Sequence, residues 1–551
     1  MAGVEPGAYR SPALVGLICA LVATPIGVVL AHIGADSGGL WTHLASTVLP
    51  DYVQNTLLLA LGVSLATGLT GVITAWTVTM YRFPGRRVFR WALLLPLAVP
   101  TYLTAYAYTD LLQFSGPAQT FLRQTFEWSR GDYWFPDPRT LGGAVAFLSL
   151  GLYPYVYLAA RTAFVEQSVC VLEVSRTLGH GPWGSFFRVA LPLARPSVIA
   201  GLSLVLMETL AEFGAVEYCA VDTFATGIYR TFKLTNSHAL TAAAQLSACL
   251  LAFIAVLLVL EAFARRAARF HHTTTRYRRL PSWPLRGWRA AVAFAVCLLP
   301  VTVGFLVPLG LFVTKTLRFG DARAREMFLE IGRNSFTLAA MASTLAVLAA
   351  LAVAFGRRLH PSWPVRFMAR VAAVGYAIPG AVIAIGVLIP VTWLDHRLNA
   401  LGARLFDWTP GLLLSGTVVA VLYGYQTRFL AVSLGLLQAS LGRIQPSIDG
   451  AARTLGASPL RMLGRVHLPL LRGTLVSAAL LVFVDVIKEL PATLMLRPFN
   501  FDTLAVRVYQ LASDERLNEA STGALALILV GLVPVAILAR LLDRSRPGGI
   551  E

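Results

Sequence analysis

Four carboxylates sit in stretches where an apolar chain has least use for them. Glu208 and Glu212 lie in the run METLAEFGAVEY, and Asp485 and Glu489 lie in VDVIKELPATLM. Both pairs are four residues apart, which on a helix puts the two acids one turn apart on one face. Ionisable groups inside a membrane span are expensive and point to function. Glu208 comes about eleven residues after its apolar run begins at 197. That is ~16 Å along a helix, near the middle of a ~30 Å hydrocarbon layer. Carboxylate oxygens suit a hard cation better than imidazole or thiolate would. The four acids therefore read as lining or gating a pathway. The alternative is that they pair with lysine, arginine or backbone groups and hold a bundle together; Lys488 could pair with Asp485 in this way. A conduit must release its cargo, so no permanent metal site is expected.

Other reactive constellations are missing. The chain has no G-x-x-x-x-G-K-[ST] phosphate loop, no H-E-x-x-H and no evident nucleophile–base pair. It is therefore not expected to hydrolyse ATP itself or to be an enzyme. The five cysteines (Cys19, Cys170, Cys219, Cys249 and Cys297) have no CxxC spacing, and most lie in apolar runs as small buried hydrophobes. The His271–His272 pair has no further ligand at metal spacing, so it reads as part of a solvated basic linker. The stretch Ala-Val-Gly-Tyr-Ala at 373–377 is too incomplete for a potassium filter.

The elements that must carry these residues are membrane spans. The chain is 56% hydrophobic and 13% charged, with mean hydropathy +0.66, against about 25% charged in soluble proteins. Runs of about 20 apolar residues fall near 13–32, 53–79, 91–112, 141–164, 197–217, 239–260, 291–313, 335–355, 371–393, 411–434, 474–490 and 520–541. Only helices or closed barrels satisfy the backbone in lipid, so twelve such runs predict an all-α bundle. The first run lacks a basic leader and a cleavage site, and reads as a retained span. Pro96 and Pro100 in the third run, and Pro379 and Pro390 in the ninth, predict kinks.

The net charge of +18 is concentrated between spans, which indicates topology and no nucleic-acid partner. Loops 82–90 and 357–370 hold four arginines each, and 262–289 holds eight with no acid. All three share one side, which the positive-inside rule makes cytoplasmic, with both termini inside. Segment 315–333, with five bases against three acids, runs against that bias.

The chain is written twice. Residues 173–192 (EVSRTLGHGPWGSFFRVALP) and 450–469 (GAARTLGASPLRMLGRVHLP) agree at nine of twenty positions. In the same register Glu208 meets Asp485, Glu212 meets Glu489, Phe224 meets Phe501, Thr226 meets Thr503 and Arg230 meets Arg507. At a slightly larger offset Asn55 meets Asn334 and Pro100 meets Pro379. Residues 1–261 and 291–551 thus form two six-span repeats joined by the basic linker 262–290. An even number of spans makes the repeats parallel, related by an axis along the membrane normal.

Each copy places Gly179 or Gly456 in a polar cytoplasmic segment and closes it with Leu191–Pro192 or Leu468–Pro469. These segments, 166–196 and 437–473, resemble the EAA loop of ABC-importer permeases. The first copy keeps Glu173 but lacks both alanines; the second has Gly450 in place of the glutamate, with Asp449 adjacent. The resemblance implies a type I importer-like fold. It also implies that Glu173, Arg176, Gly179, Leu191, Pro192, Arg453, Gly456, Leu468 and Pro469 couple the membrane helices to ATP-binding subunits. In that reading glycine permits a tight reversal between two short helices, and the proline ends the second piece before the next span begins. The stretches 207–232 and 484–509 are similar to fused permeases of bacterial ferric-iron importers, with thiamine and phosphonate permeases close by. The resemblance further implies two copies of an ATP-binding subunit holding ATP and Mg, none in this chain. A periplasmic or lipid-tethered solute-binding protein and a place in the bacterial cytoplasmic membrane complete it. An ion-driven carrier or an intramembrane enzyme are the rival classes; neither needs the repeated loop.

Overall fold

The computed structural model describes residues 10–129, 131–166, 175, 181–266, 283–319, 322–409 and 411–544. The regular structure of the described residues is helical except for one two-residue parallel pairing, Tyr81–Arg82 with Trp283–Pro284. In the first half α1 (Arg10–Ala31), α2 (Leu40–Thr47), α3 (Leu49–Met80), α4 (Arg86–Ala92), α5 (Thr101–Leu112) and α6 (Pro117–Phe126) come first. They are followed by α7 (Leu141–Glu166), α8 (Leu191–Ala211), α9 (Gly214–Tyr218), α10 (Phe224–Phe232) and α11 (Ala239–Arg266). The second half opens with α12 (Trp288–Val301), α13 (Val307–Phe319), α14 (Ala322–Leu359), α15 (Trp363–Ala372) and α16 (Gly380–Phe406). It closes with α17 (Val418–Arg443), α18 (Pro446–Thr454), α19 (Leu468–Lys488), α20 (Pro491–Leu496), α21 (Leu504–Ser513) and α22 (Leu517–Arg544). Among the described residues eleven helices are long and apolar enough to span a membrane. A bent pair, Arg86–Ala98 with Thr101–Phe126, makes twelve if it is one span. The fold is an all-α integral membrane protein with two six-helix repeats.

Three details differ from the sequence reading, each for a backbone reason. The third and ninth runs are not continuous spans. Pro100 (φ −53°, ψ 139°) and Pro379 (φ −57°, ψ 142°) are extended residues that start new helices, α5 and α16. Proline has no N–H to donate, and its ring excludes the carbonyl four residues earlier. The first of these breaks bends the chain by 87°.

The fifth span ends at Ala211 and the eleventh at Lys488, so Glu212 and Glu489 are not a second helical turn beyond Glu208 and Asp485. Both are extended residues at a break (ψ 127° and 122°).

Leu191–Pro192 and Leu468–Pro469 do not separate the repeated polar segment from the span. A single π-helical turn, Phe186–Ala190 or Leu463–His467, runs directly into α8 or α19. A widened turn moves the backbone ladder away from the proline, so the helix continues through it.

The chain forms two compact units, and these are not the two sequence repeats. One holds residues 1–44, 227–249 and 325–507. In it α1 packs on α15 and α16. Val15, Cys19 and Val22 of α1 share a buried core with Ala350 and Val353 of α14, Leu430, Leu434 and Leu437 of α17, and Leu471 of α19. The other holds residues 45–226, 250–324 and 508–551. There α3, α7 and α8 pack together, and α13 packs on α22. Each unit thus takes the first span of the opposite repeat.

Close approach of α3, α7 and α8 depends on glycine. A Cβ on Gly71 would lie 2.7 Å from Val156 Cβ and 2.8 Å from Tyr157 N, and one on Gly201 would lie 3.0 Å from Val156 Cα. Small residues allow such backbone contact in membranes, where no hydrophobic drive separates helix from lipid. Gly71→Leu is expected to abolish a monodisperse peak in fluorescence-detected size-exclusion chromatography. Gly435→Leu, where nothing lies within 4 Å of the added Cβ, is expected to leave that peak unchanged.

Candidate functional site

The repeat is closest where the helices break. Glu212 follows α8 and accepts from the Ala215 backbone N–H at 2.9 Å; Glu489 follows α19 and accepts from Ala492 N–H at 3.1 Å. Each carboxylate therefore caps the short helix that restarts the chain, α9 or α20. Exposed donors at a helix start are orphaned unless a side chain or water meets them, and a negative cap also suits the positive end of the helix. Glu208 and Asp485 are half-buried on α8 and α19. The two acid pairs belong to different compact units.

The second oxygen of each carboxylate has a different partner. Thr101, directly after Pro100, donates its hydroxyl to Glu212 Oε2. In the other repeat Arg428 of α17 donates from Nη1 to Glu489 Oε2 at 2.6 Å, with Arg428 8% and Glu489 6% exposed. The surrounding residues have exchanged sizes. The position of Thr101 is Gly380, and the position of Arg428 is Gly151. A Cβ on Gly380 would lie 2.8 Å from Arg428 Nη1 and also against Glu489 Oε1; one on Gly151 would lie 3.0 Å from Thr101 Cγ2. One repeat holds its carboxylate with a hydroxyl from after the proline break. The other uses a guanidinium from the fourth span of the repeat, and each has glycine where the other has the holder.

The second copy of the repeated polar segment has the reversal that its glycine implied. After α18, Gly456 has φ +74°, and a Schellman cap closes the helix through Gly456 N–H to Arg453 O (3.0 Å) and Ala457 N–H to Ala452 O (3.0 Å). Ser458 then accepts from Arg461 N–H to start the turn Pro459–Met462. Arg453 and Gly456 are exposed, Leu468 is half-buried and Pro469 is exposed.

The segment is tied to the spans by Asp449. Arg358, at the end of α14, donates to it from Nε (2.6 Å) and Nη2 (3.2 Å), and also to Ile444 O (2.9 Å). His467 Nε2 lies 3.2 Å from Asp449 Oδ1. Asp449 and His467 are buried, and a bidentate guanidinium–carboxylate pair fixes direction as well as distance. The repeat positions of Asp449, Arg358 and His467 are Leu172, Thr79 and Ala190. In the first segment Glu173, Arg176 and Gly179 lie outside the described residues. There Ser175 and Ser185 share a buried hydroxyl pair at 2.9 Å, and Leu191 and Pro192 are half-buried.

Sequence reasoning found Glu212 and Glu489 but missed Arg428 and Arg358. Arg428 was open to the same argument as the acids, since it is a charge within an apolar run. Arg358 was counted as topology, because a loop-end arginine carries no mark of a specific partner. Among the described residues no three His, Cys, Asp or Glu side chains gather as a metal site.

The family described as binding-protein-dependent transport system inner membrane component matches residues 68–270. The Fe(3+)-transport system permease protein FbpB 2 of Haemophilus influenzae is 24% identical over 540 residues, covering 96% of this chain and 99% of that protein. The sulfate transport system permease protein CysT of Escherichia coli is 28% identical over 209 residues, 37% of this chain and 71% of that protein. The molybdenum transport system permease protein ModB of Escherichia coli is 31% identical over 173 residues, 30% of this chain and 72% of that protein.

The exchanged partners make a strong prediction. Arg428→Gly strands a buried carboxylate and is expected to cost about 3–5 kcal/mol, read as lost folded yield and a lowered melting temperature. Gly380→Thr alone collides with Arg428. The double variant rebuilds the Thr101–Gly151 arrangement and is expected to recover most of the yield lost by either single change. Additive losses would refute the equivalence.

Proposed function

This chain belongs to the family of binding-protein-dependent transport system inner membrane components, and on that premise we propose that it is the fused permease of an ATP-driven ferric-iron importer. Family membership makes it a multi-pass inner-membrane transport subunit working with ATP-binding and solute-binding subunits. The observation that carries the iron reading is the end-to-end match, 96% of this chain against 99% of a protein described as an Fe(3+) permease. The sulfate and molybdenum permeases match only a part of this chain. They support a second reading, another small solute handled by the same architecture.

Two ATP-binding subunits dock beneath, one on each repeated segment, and hold ATP and Mg. A periplasmic or lipid-tethered binding protein delivers ferric iron from the opposite face, and both termini are cytoplasmic. The support for transmission is local geometry. α18 is joined to α14 through Asp449 and Arg358, and the turn after Gly456 continues as one helix into α19. A push on α18 is therefore delivered to two spans. The four acids at 208, 212, 485 and 489 serve the gate: Glu212 and Glu489 set where the helix breaks, and Glu208 and Asp485 stand four residues before each break.

Uptake of radiolabelled ferric iron in a strain lacking its own importer, restored by this chain with its partners, tests the substrate. Restored molybdate or sulfate uptake in its place would overturn the iron reading. Gly456→Val puts a branched side chain at positive φ, a cost of roughly 1–2 kcal/mol. It is expected to lower several-fold the cargo moved per ATP hydrolysed in proteoliposomes. Because Glu173 has Gly450 in register, Glu173→Ala is expected to impair uptake more than Gly450→Ala; equal effects would refute unequal coupling.

A further inference from the structure

The two repeats build the helix after the proline break from opposite chemistries. α5 begins Thr101-Tyr-Leu-Thr-Ala-Tyr-Ala-Tyr-Thr-Asp110, whereas α16 begins Gly380-Ala-Val-Ile-Ala-Ile-Gly-Val-Leu-Ile389. Tyr102, Thr104, Tyr106 and Thr109 are all buried, and their register positions are Ala381, Ile383, Ile385 and Leu388. The second repeat makes the same break and the same helix with aliphatic side chains, so the architecture does not require the hydroxyls. Among the described residues the hydroxyls of Thr104, Tyr106 and Thr109 find no hydrogen-bond partner. Buried polar groups are almost always satisfied, so such a cluster needs an explanation other than packing.

The short helix α9 covers α5. Tyr218 of α9 packs its ring 4.5 Å from that of Tyr106 (centroid to centroid), and Tyr102 lies 5.7 Å from Tyr106. The position of Tyr218 is Met495 in the other repeat. At one end of the same seam Thr101 meets Glu212. Tyr106 and Tyr218 therefore meet at the contact of α5 with α9, Tyr102 and Thr109 share the helix face of Tyr106, and a carboxylate stands at one end of the seam; the second repeat has none of these hydroxyls in register. Arg139 stands over the outer ring, 5.1 Å from the Tyr218 centroid, donates a hydrogen bond to the Tyr218 hydroxyl and pairs with Glu515 at 3.3 Å; a cation bound at Tyr218 takes over that phenol oxygen from Arg139.

We infer that the α5–α9 seam is a transit site for a hard, highly charged cation, with Tyr106 and Tyr218 as its ligating phenols. This rests on the ferric-iron reading above. Hard cations prefer oxygen donors, and phenols can become anionic donors on binding, which a guanidinium beside Tyr218 favours by stabilising the phenolate. On binding, each phenol releases its proton to water and its oxygen donates a lone pair to the metal; no electron is transferred. The conformation described is closed over the site, since Tyr106 is 0% exposed. Opening requires α9 to leave α5. Its ends suit that motion: the extended break at Glu212 precedes it, and Ala220, at φ +54°, follows it. A non-glycine residue at positive φ is a strained point of the kind found at moving elements.

The test uses the full transporter with its ATP-binding and solute-binding partners. Tyr106→Phe and Tyr218→Phe keep the rings and remove only the oxygens. Each is expected to reduce ferric uptake by on the order of tenfold, as the loss of a metal-site group does. Tyr108→Phe, on the same helix but with its hydroxyl donated to Val303 O, is expected to retain uptake. Ferric nitrilotriacetate added to the purified complex is expected to give a visible tyrosinate-to-iron charge-transfer band, weakened by either seam variant. Wild-type uptake in the folded Tyr106→Phe/Tyr218→Phe double variant, or an undiminished band, would overturn the inference while leaving the iron reading intact. A wild-type chain that moves molybdate or sulfate and no iron would overturn both.

Discussion

Every backbone N–H and C=O within the hydrocarbon must find a partner in the protein, because no water is there to supply one. A helix meets this condition automatically, and a broken helix does not. This chain interrupts its helices at matched points in both repeats, at Pro100 and Pro379 and again at Glu212 and Glu489. At the second pair a carboxylate bonds the first free donors of the next short helix. The placement of a charged side chain in an apolar run follows from that need. Once a carboxylate is committed to the backbone its other oxygen also needs a partner, and α5 or α17 must supply it. The packing of the surrounding spans is therefore arranged around two capped breaks.

Duplication makes the exceptions informative. Two copies of one architecture act as an internal control: whatever differs between them is not dictated by the shared backbone. The Thr101–Gly151 and Gly380–Arg428 exchange preserves one mechanical role by two chemistries, since volume added on one helix is removed from the other. The tyrosines of α5 preserve no such role, because Ala381 and Ile385 occupy the same register without loss of the helix. The Asp449–Arg358–His467 cluster faces Leu172, Thr79 and Ala190 in register. The buried charge that holds the second segment has no counterpart in the register positions of the first. One covalent chain allows this, since its two halves need not remain interchangeable.

The π-helical turns at Phe186–Ala190 and Leu463–His467 join the repeated polar segments to the spans without a break. A proline that ended the helix would leave a hinge there. A widened turn keeps the helix continuous from the segment into the span.

Much of this was legible in the primary structure. Apolar run length gave the spans, since hydrocarbon thickness fixes how many residues cross it. The repeat came from polar identities in a common register, and the tight reversal at Gly456 from the one residue type that adopts positive φ freely. The two intramembrane acid pairs were visible because charge in lipid is costly. Tertiary structure decided what each acid does. A carboxylate followed by an apolar stretch looks the same whether the helix continues or stops, and only the stop turns Glu212 and Glu489 from neighbours of Glu208 and Asp485 into caps. It also decided that Arg428, from another helix, lies 2.6 Å from Glu489. Those residues are far apart along the chain, and local periodicity carries no information on which helices meet. The assembly of each compact unit from segments of both repeats was hidden for the same reason. Sequence periodicity fixes which face of a helix is apolar, while the partner that covers it is set by packing across the whole bundle.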